Sequence, residues 1–338
     1  MIASPSSAVH PKQALFDAAD TFVALPVCDH YAGVEVRMRK SLELQAELGP
    51  VFDVTLDCED GAPVGGETEH AHLVAEMLGS QLNLFQRVGA RVHAVTHAAF
   101  AADTATLIAR AGQHLAYLML PKPNGAADVV LACAEIDRLS QAAGLATQIP
   151  VHVLIETHGA LREVDAIAAH PRVQSLSFGL MDFVSAHRGA IPARAMTSEG
   201  QFQHPLVVRA KLEISAACHA HSKTPSHCVV TEFKDPAAVS EAATRAHREL
   251  GYTRMWSIHP DQILSIVDAF APSVAEVDTA IEIICAAQAA QWAPIRHRDT
   301  LHDRASFRYF WQVLERAQRT GGHLPVEIRR AFFPDAQR

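Results

Sequence analysis

The sequence has little of what marks disulfide-rich, nucleic-acid-binding or membrane proteins. Its 338 residues include only six cysteines, and none forms a Cys-x-x-Cys pair, which is typical of reduced thiols in a cytosolic protein. No apolar run is long enough to span a membrane, and the first 20 residues lack the pattern of a secretory signal. The formal net charge of -8 argues against a nucleic-acid partner. We therefore expect a soluble, cytoplasmic protein.

Aromatic residues and glycine-rich phosphate turns are also scarce. Aromatic residues make up 6% of the chain, whereas 49% of it is hydrophobic, so the core should be largely aliphatic. No glycine-rich turn that could bind a dinucleotide phosphate follows any of the early predicted strands. A doubly wound open sheet, the structural alternative to the barrel predicted below, is therefore disfavoured.

One stretch contains two short apolar runs that are each followed by a carboxylate. Residues 151–155 are followed by Glu156, and residues 173–179 are followed, after two apolar residues, by Asp182. Helical apolar spacing over 161–169 lies between them, so the pattern predicts two parallel neighbouring strands joined by a helix. Both carboxylates should then lie at the same edge of the sheet. Two oxygen ligands with open positions beside them suit a Mg²⁺ ion that also binds substrate.

Alternating strand and helix patterns along most of the chain predict an α/β fold, a (β/α)8 TIM barrel. The predicted strands are 21–27, 52–56, 91–95, 115–120, 151–155, 173–179, 228–230 and 254–258. We assign residues 15–272 to the barrel and residues 273–338 to a C-terminal helical extension. Ser273 and Glu276 have the spacing of a capping box that opens a helix, and residues 294–303 resemble a polar linker.

Polar residues collect where these predicted strands end, which is the catalytic face of such a barrel. The acidic segment 57–60 follows the second strand, and Lys122 follows the fourth. Arg91 is predicted at the start of the third strand, so it contributes only if its side chain points inward or the strand begins earlier. Alternatives stay open here. The acidic segment also suits a solvated loop, Lys122 an ordinary loop lysine, and Glu156 alone a helix N-terminal carboxylate.

Six short segments resemble, in the same order, motifs of the HpcH/HpaI aldolase and citrate lyase beta-subunit-like family, which includes malyl-CoA lyases. The segments are Leu56–Asp60, Arg91–His93, Met119–Lys122, Leu154–Thr157, Phe178–Asp182 and Trp256–Pro260. The resemblance covers roughly residues 20–275. It implies a Mg²⁺-binding TIM barrel that assembles as a homotrimer or hexamer.

The resemblance also implies roles for individual residues. Glu156 and Asp182 become the metal ligands, and Arg91 becomes the cation that binds the substrate's carbonyl or carboxylate. The acidic segment would hold water bound to the metal. We assign Arg91 and Asp60 as catalytic, and Arg91, Glu156 and Lys122 as substrate-binding.

The chain departs from the family pattern at three places. His93 stands where the family usually has Asn, and His227 stands where many members have Asp. The early segment Leu25–Tyr31 lacks the arginine that the family has there. These departures concern the acyl-CoA or citryl substrate more than the metal site.

The leading hypothesis is carbon–carbon cleavage of a 3-hydroxy acyl thioester, with a coenzyme A thioester such as malyl-, citramalyl- or citryl-CoA as substrate and a 2-oxo acid as one product. A class II aldolase that acts on free hydroxy-oxo acids would need the same metal but no room for coenzyme A. A non-catalytic family member that binds an acyl ligand would bind without turnover.

Overall fold

Eight parallel strands form a closed barrel in the computed structural model of the chain, which describes residues 9–17 and 23–334. The elements are α1 (Pro11–Leu15), β1 (Cys28–Ala32), α2 (Glu35–Leu48), β2 (Phe52–Asp57), α3 (Glu67–Leu78), β3 (Val88–Arg91), α4 (Phe100–Ala111), β4 (Leu118–Leu120), α5 (Ala126–Ala142), β5 (Val151–Ile155), α6 (His158–Arg162), α7 (Val164–Ala169), β6 (Val173–Phe178), α8 (Leu180–Ser185), α9 (Pro205–Ala220), β7 (Thr224–His227), α10 (Pro236–Leu250), β8 (Arg254–Ser257), α11 (Pro260–Phe270), α12 (Val274–Ala289), β9 (Ile295–His297), β10 (Thr300–His302), α13 (Arg304–Arg319) and α14 (Val326–Phe332).

The barrel belongs to a compact unit of residues 23–270. Each strand from β1 to β7 pairs in parallel with the next, and β8 pairs with β1 to close the barrel. Helices follow the strands, so the predicted TIM-barrel fold is confirmed. Because the strands are covered on both faces, every residue of β2 and β5 is buried, including the polar residues of β2.

Three strands lie elsewhere than the sequence predicted. β1 is Cys28–Ala32 rather than 21–27, whose first two residues lie outside the described residues. β3 is Val88–Arg91 rather than 91–95, and β7 is Thr224–His227 rather than 228–230.

A common physical reason explains these errors, because the missed strands bury polar or small residues. Asp29 and His30 of β1 and His227 of β7 are buried, and the His30 ring is 3.0 Å from the Ser257 hydroxyl. Gly89 of β3 faces the Tyr117 ring so closely that a Cβ atom there would lie 2.3 Å from it. Apolar periodicity does not detect strands of this composition.

A second compact unit contains α1 and the segment from residue 271 onwards. The predicted capping box of Ser273 and Glu276 is present at the start of α12. α13 buries Phe307, Trp311 and Leu314 on one face, at the spacing of an amphipathic helix. The predicted polar linker contains the antiparallel hairpin β9–β10, and α14 was not predicted. The predicted domain limits, 15–272 and 273–338, stay a prediction.

Every helix within residues 9–17 and 23–334 is too short or too polar to span a lipid bilayer.

A buried cluster of charges connects the strands where the barrel closes. Arg254 of β8 lies with its guanidinium 3.1 Å from a carboxylate oxygen of Asp29 in β1 and 2.5 Å from one of Asp53 in β2. All three side chains are fully or almost fully buried. Arg254 also donates to the Pro26 carbonyl at 3.0 Å. Burial raises the pKa of Asp29, although the charge of Arg254 opposes that rise.

Replacing the buried arginine should destabilise the barrel, because Asp29 would lose the cation beside it and Asp53 would keep only Arg87, 2.8 Å away. We expect Arg254→Met to lower the free energy of unfolding by about 3–5 kcal/mol, measured by urea denaturation. Arg138→Met is the matched control, because the exposed Arg138 pairs with Glu135 three residues earlier on α5, and its replacement should leave the free energy of unfolding almost unchanged. Equal losses for both variants would contradict a stabilising role for the buried cluster.

Candidate functional site

The site begins with an arginine and an aspartate at the ends of neighbouring strands. Asp57 ends β2 and Arg91 ends β3, and the two residues are paired in register. The Arg91 Nε and Nη2 atoms donate to the two Asp57 oxygens at 2.7 and 2.5 Å. Burial opposes the charge of the guanidinium, yet Asp57 raises the pKa of Arg91 above its ordinary value. Arg91 therefore ends its strand and lies at the carboxyl edge, contrary to its predicted place at a strand start.

Backbone amides hold Asp57 from the other side. The amide of Glu59 donates to Asp57 Oδ1 at 2.9 Å, and the amide of Gly61 donates to Oδ2 at 2.7 Å. A Cβ atom on Gly61 would lie 2.3 Å from the same Oδ2, and a Cβ atom on Gly33 would lie 1.9 Å from the Gly61 carbonyl oxygen. The loop after β2 is therefore packed backbone against backbone on the loop after β1.

The acidic segment 57–60 is bound to both cations of the site. Glu59 Oε2 lies 3.2 Å from Arg91 Nη1, and its Oε1 lies 2.6 Å from Lys122 Nζ. Lys122 also donates to Asp60 Oδ2 at 2.6 Å. Partial burial favours the neutral form of Asp60, but the hydrogen bond and charge of Lys122 outweigh it and lower the pKa of that carboxyl.

Glu156 follows β5 directly and is buried beside this cluster. Its Oε1 accepts a hydrogen bond from the backbone amide of Lys122 at 2.8 Å. Burial is the main reason that the pKa of Glu156 rises to about 8, and the neighbouring charge of Asp182 adds to the shift. Gly179 faces Glu156 so closely that a Cβ atom there would lie 2.2 Å from Oε2.

Asp182 lies on a short helix rather than directly at a strand end. It occupies the first turn of α8, which follows β6, and it is half-exposed. Its Oδ1 lies 3.9 Å from Lys122 Nζ. The structure thus brings together all five residues that the sequence predicted for the site. They are Asp60, Arg91, Lys122, Glu156 and Asp182.

An aromatic pair lies next to Arg91 and was not predicted. Tyr31 stacks on Trp256 with ring centroids 4.3 Å apart, and the Arg91 guanidinium carbon lies 5.3 Å from the Tyr31 ring centroid. Tyr31 also donates a hydrogen bond to the Met119 sulfur. A correct prediction of β1 would have indicated Tyr31, because it would then have been placed near the carboxyl end of that strand.

Tyr31 also lines a cavity of about 550 Å³. The exposed side chains Phe233 and Ile258 give the cavity an apolar side, while Arg37 and Lys40 on α2 supply positive charge. The cavity therefore combines an apolar surface with two cations, and Tyr31 connects it with Arg91.

The two histidines that depart from the family pattern lie in different surroundings. His93 Nδ1 is 2.5 Å from Asp103 Oδ2, and the His93 ring stacks on His97 at 4.4 Å. His227 is fully buried and stacks on Phe202, with ring centroids 5.3 Å apart. Burial lowers the pKa of His227 well below its ordinary value, so this residue is a neutral core histidine.

The carboxylates at this edge fit a Mg²⁺ ion. Among the described residues, no group of three or more His, Cys, Asp or Glu side chains forms an all-protein metal site. Mg²⁺ is usually held by one or two carboxylates together with substrate and water, which is the donor set that Glu156 and Asp182 offer. Burial and like charge disfavour ionised Glu156, and a divalent cation would offset both effects. The missing Cβ of Gly179 leaves space at Glu156 Oε2.

Comparison with known proteins identifies what the chain resembles. A model of the HpcH/HpaI aldolase/citrate lyase family matches residues 52–260. The L-malyl-CoA/beta-methylmalyl-CoA lyase of Rhodobacter capsulatus is 29% identical over 228 residues, which cover 64% of this chain and 71% of the relative. A lyase with the same description from Cereibacter sphaeroides is 28% identical over 248 residues, which cover 70% of this chain and 77% of the relative.

Solved structures show the same likeness. A citrate lyase from Burkholderia xenovorans is 56% identical, with a TM-score of 0.83 and coverage of 96% of this chain and 100% of the other. The protein CitE from Mycobacterium tuberculosis, solved in complex with magnesium, acetoacetate and coenzyme A, has a TM-score of 0.66 at 20% identity. That match covers 87% of this chain and 98% of the other, and it shows likeness of fold.

A methyl group at position 179 should disturb the site through Glu156 alone. We expect Gly179→Ala to lower the free energy of unfolding by about 1–3 kcal/mol, because its Cβ overlaps the Glu156 carboxylate. The same variant should weaken Mg²⁺ binding in calorimetry. The control is Gly79→Ala, whose Cβ would lie 3.6 Å from the Ala75 carbonyl oxygen, an ordinary contact. Unchanged unfolding and metal binding in Gly179→Ala would contradict the close packing.

Proposed function

Because this chain belongs to the HpcH/HpaI aldolase/citrate lyase family and is a lyase, we propose that it cleaves a carbon–carbon bond of a 3-hydroxy acyl-CoA in a Mg²⁺-dependent reaction. Malyl-, citramalyl- and citryl-CoA are the candidate substrates, and an acyl thioester and a 2-oxo acid are the products. The observation that carries the proposal is the cluster of Glu156, Asp182 and Arg91 at one edge of the barrel.

Glu156 and Asp182 would hold the metal. When bound, Mg²⁺ would supply Lewis-acid polarisation of the 2-oxo acid fragment. Glu156 is fixed by the Lys122 amide at 2.8 Å, whereas Asp182 is half-exposed. One ligand is therefore rigid, and the other is open to solvent and substrate.

Arg91 would stabilise the negative charge that develops during cleavage. The hydroxyl at C3 loses its proton, the C2–C3 bond breaks, and its electron pair moves into the thioester enolate, which is then protonated at C2. Arg91 is fixed by Asp57 through two hydrogen bonds, so its remaining N–H groups are oriented before substrate arrives. Such preorganised donors contribute several kcal/mol to catalysis.

Asp60 is the proposed proton acceptor. Its side chain is 56% exposed, whereas that of Glu59 is 7% exposed, so Asp60 is the residue of the acidic segment that substrate or water can reach. Lys122 lowers the pKa of Asp60, so the carboxyl is in the ionised form that accepts a proton but is a weaker base while Lys122 is bound to it.

The cavity beside Tyr31 supports a coenzyme A thioester over a free hydroxy-oxo acid. Its apolar side and the cations Arg37 and Lys40 suit a long ligand that carries phosphate groups. A class II aldolase acting on free acids has no use for this space. Assembly as a homotrimer or hexamer stays a prediction, and light scattering of the purified protein would test it.

Metal-linked ligand binding is the first test of the proposed function. We expect metal-stripped protein to bind glyoxylate or pyruvate in calorimetry only when Mg²⁺ is present. Glu156→Gln and Asp182→Asn should each remove that binding and the cleavage of malyl-CoA, because each replaces a charged oxygen ligand. Retained cleavage in Glu156→Gln would contradict the assignment of the metal site.

The same titrations separate the alternatives. Turnover of free hydroxy-oxo acids without turnover of any of the three thioesters would favour the class II aldolase. Metal-linked ligand binding without turnover of either substrate type would favour the non-catalytic reading.

Loss of the proposed oxyanion donor should affect turnover more than substrate binding. We expect Arg91→Lys to lower kcat about 10²–10³-fold with a smaller change in KM, because the lysine ammonium cannot reproduce the two-point contact with Asp57. Steady-state kinetics with malyl-CoA would measure both parameters. Arg138→Lys on the exposed face of α5 is the control and should leave both unchanged. A change in KM alone would assign Arg91 to substrate binding only.

A further inference from the structure

Lys122 has an unusual backbone that is explained by what its amide binds. It follows β4 between Pro121 and Pro123, and its φ angle is +49°, in the left-handed region that residues other than glycine rarely adopt. Proline has no backbone N–H, so Lys122 carries the only amide donor of this three-residue segment. That donor is directed at Glu156 Oε1, 2.8 Å away.

The side chain of the same residue binds carboxylates on two other loops. Lys122 Nζ lies 2.6 Å from Glu59 and 2.6 Å from Asp60, both on the loop after β2. It lies 3.9 Å from Asp182, on the segment after β6. An ammonium has three N–H donors, and two of them are used by the acidic segment at short distance. One N–H of the ammonium therefore remains for a substrate carboxylate.

We propose that Lys122 is a positioning residue that aligns both halves of the site, its amide orienting Glu156 and its ammonium holding Glu59 and Asp60 beside the metal edge. This replaces the substrate-binding role predicted from the sequence, and it rests on the proposed function for the identity of the metal. A lysine whose role was to bind substrate would need an ammonium that is free of other partners. That role would not require a left-handed backbone between two prolines.

Three substitutions separate the backbone role from the side-chain role. Lys122→Gly removes the ammonium and adopts the left-handed conformation without strain. Lys122→Met removes the ammonium but keeps an unbranched side chain with the same backbone cost. Lys122→Val also removes the ammonium, and its branched Cβ opposes the left-handed conformation. Met and Val are a matched pair, because they differ mainly in branching at Cβ.

The amide role predicts an effect on the metal. We expect Lys122→Val to raise the Kd for Mg²⁺ by about tenfold, because Glu156 loses a hydrogen bond to a charged group. Lys122→Gly and Lys122→Met should keep that Kd within about threefold of the wild-type value, because both retain the amide and removing a cation near Asp182 favours metal binding. Calorimetric titration of the metal-stripped full-length proteins measures all four constants. Equal constants for Val and Met would overturn the amide role.

The ammonium role predicts an effect on the acidic segment that needs no metal. In Lys122→Met and Lys122→Gly, backbone amides of residues 57–61 should exchange hydrogen about threefold faster than in wild type, because two ion pairs are lost. Lys122→Arg should restore slow exchange, since it also carries a cation. Unchanged exchange in Lys122→Met would overturn this role.

Kinetics distinguish positioning from substrate binding. With malyl-CoA or whichever thioester is turned over, Lys122→Met should lower kcat and leave KM near the wild-type value, with partial recovery in Lys122→Arg. A raised KM with kcat unchanged would instead restore the substrate-binding role.

Failure of this inference is distinguishable from failure of the proposed function. Absence of Mg²⁺ binding in the wild-type protein would contradict the proposed function, while the exchange rates of residues 57–61 would still decide whether the ammonium holds the acidic segment. Mg²⁺ binding in wild type with unaffected variants would contradict only the role of Lys122. Melting temperatures of the four Lys122 variants identify any that fails to fold.

Discussion

Excess negative charge at one edge of the barrel is the constraint on which the site depends. Parallel strands end on the same side, so the carboxylates of Asp57, Glu59, Asp60, Glu156 and Asp182 gather there. The cations that face them are Arg91 and Lys122, and each contacts more than one carboxylate. The balance remains negative, and it is most costly at buried Glu156, whose pKa is raised to about 8. A divalent cation at this edge would reduce the imbalance, so the proposed metal site follows from how the strands end.

Negative charge that is buried inside the barrel is instead compensated by protein cations. Asp29 and Asp53 share the buried Arg254, and Asp53 also lies 2.8 Å from Arg87, so the two carboxylates are balanced by two protein cations. The carboxylates at the carboxyl edge lack such a complete set of protein partners, and Asp182 is half-exposed. The buried charges around Arg254 thus support the closure of the barrel. The carboxylates at the carboxyl edge are incompletely balanced and are therefore available to bind a cation or to accept a proton.

Much of the site could be predicted from the sequence because its strands are apolar and are followed by single carboxylates. β5 and Glu156 lie where the pattern placed them, and the pairing of β5 with β6 follows from the crossover between them. β1, β3 and β7 could not be located from the sequence. Asp29, Gly89 and His227 are buried because of the residues that contact them in the closed barrel, and residue type alone does not indicate those contacts. The role of Lys122 depends on a φ angle of +49°, which residue type does not indicate.

The backbone contact between Gly33 and Gly61 connects the loop after β1 with the loop after β2, which carries the acidic segment. A Cβ on Gly33 would lie 1.9 Å from the Gly61 carbonyl oxygen, so the loops after β1 and β2 meet through their backbones. Side chains absorb small shifts by changing rotamer, but peptide groups in direct contact do not. The position of the acidic segment therefore depends on the loop after β1, the strand in which Tyr31 lines the cavity. The backbone contact at Gly33 thus helps to set where the proposed proton acceptor Asp60 lies relative to the cavity.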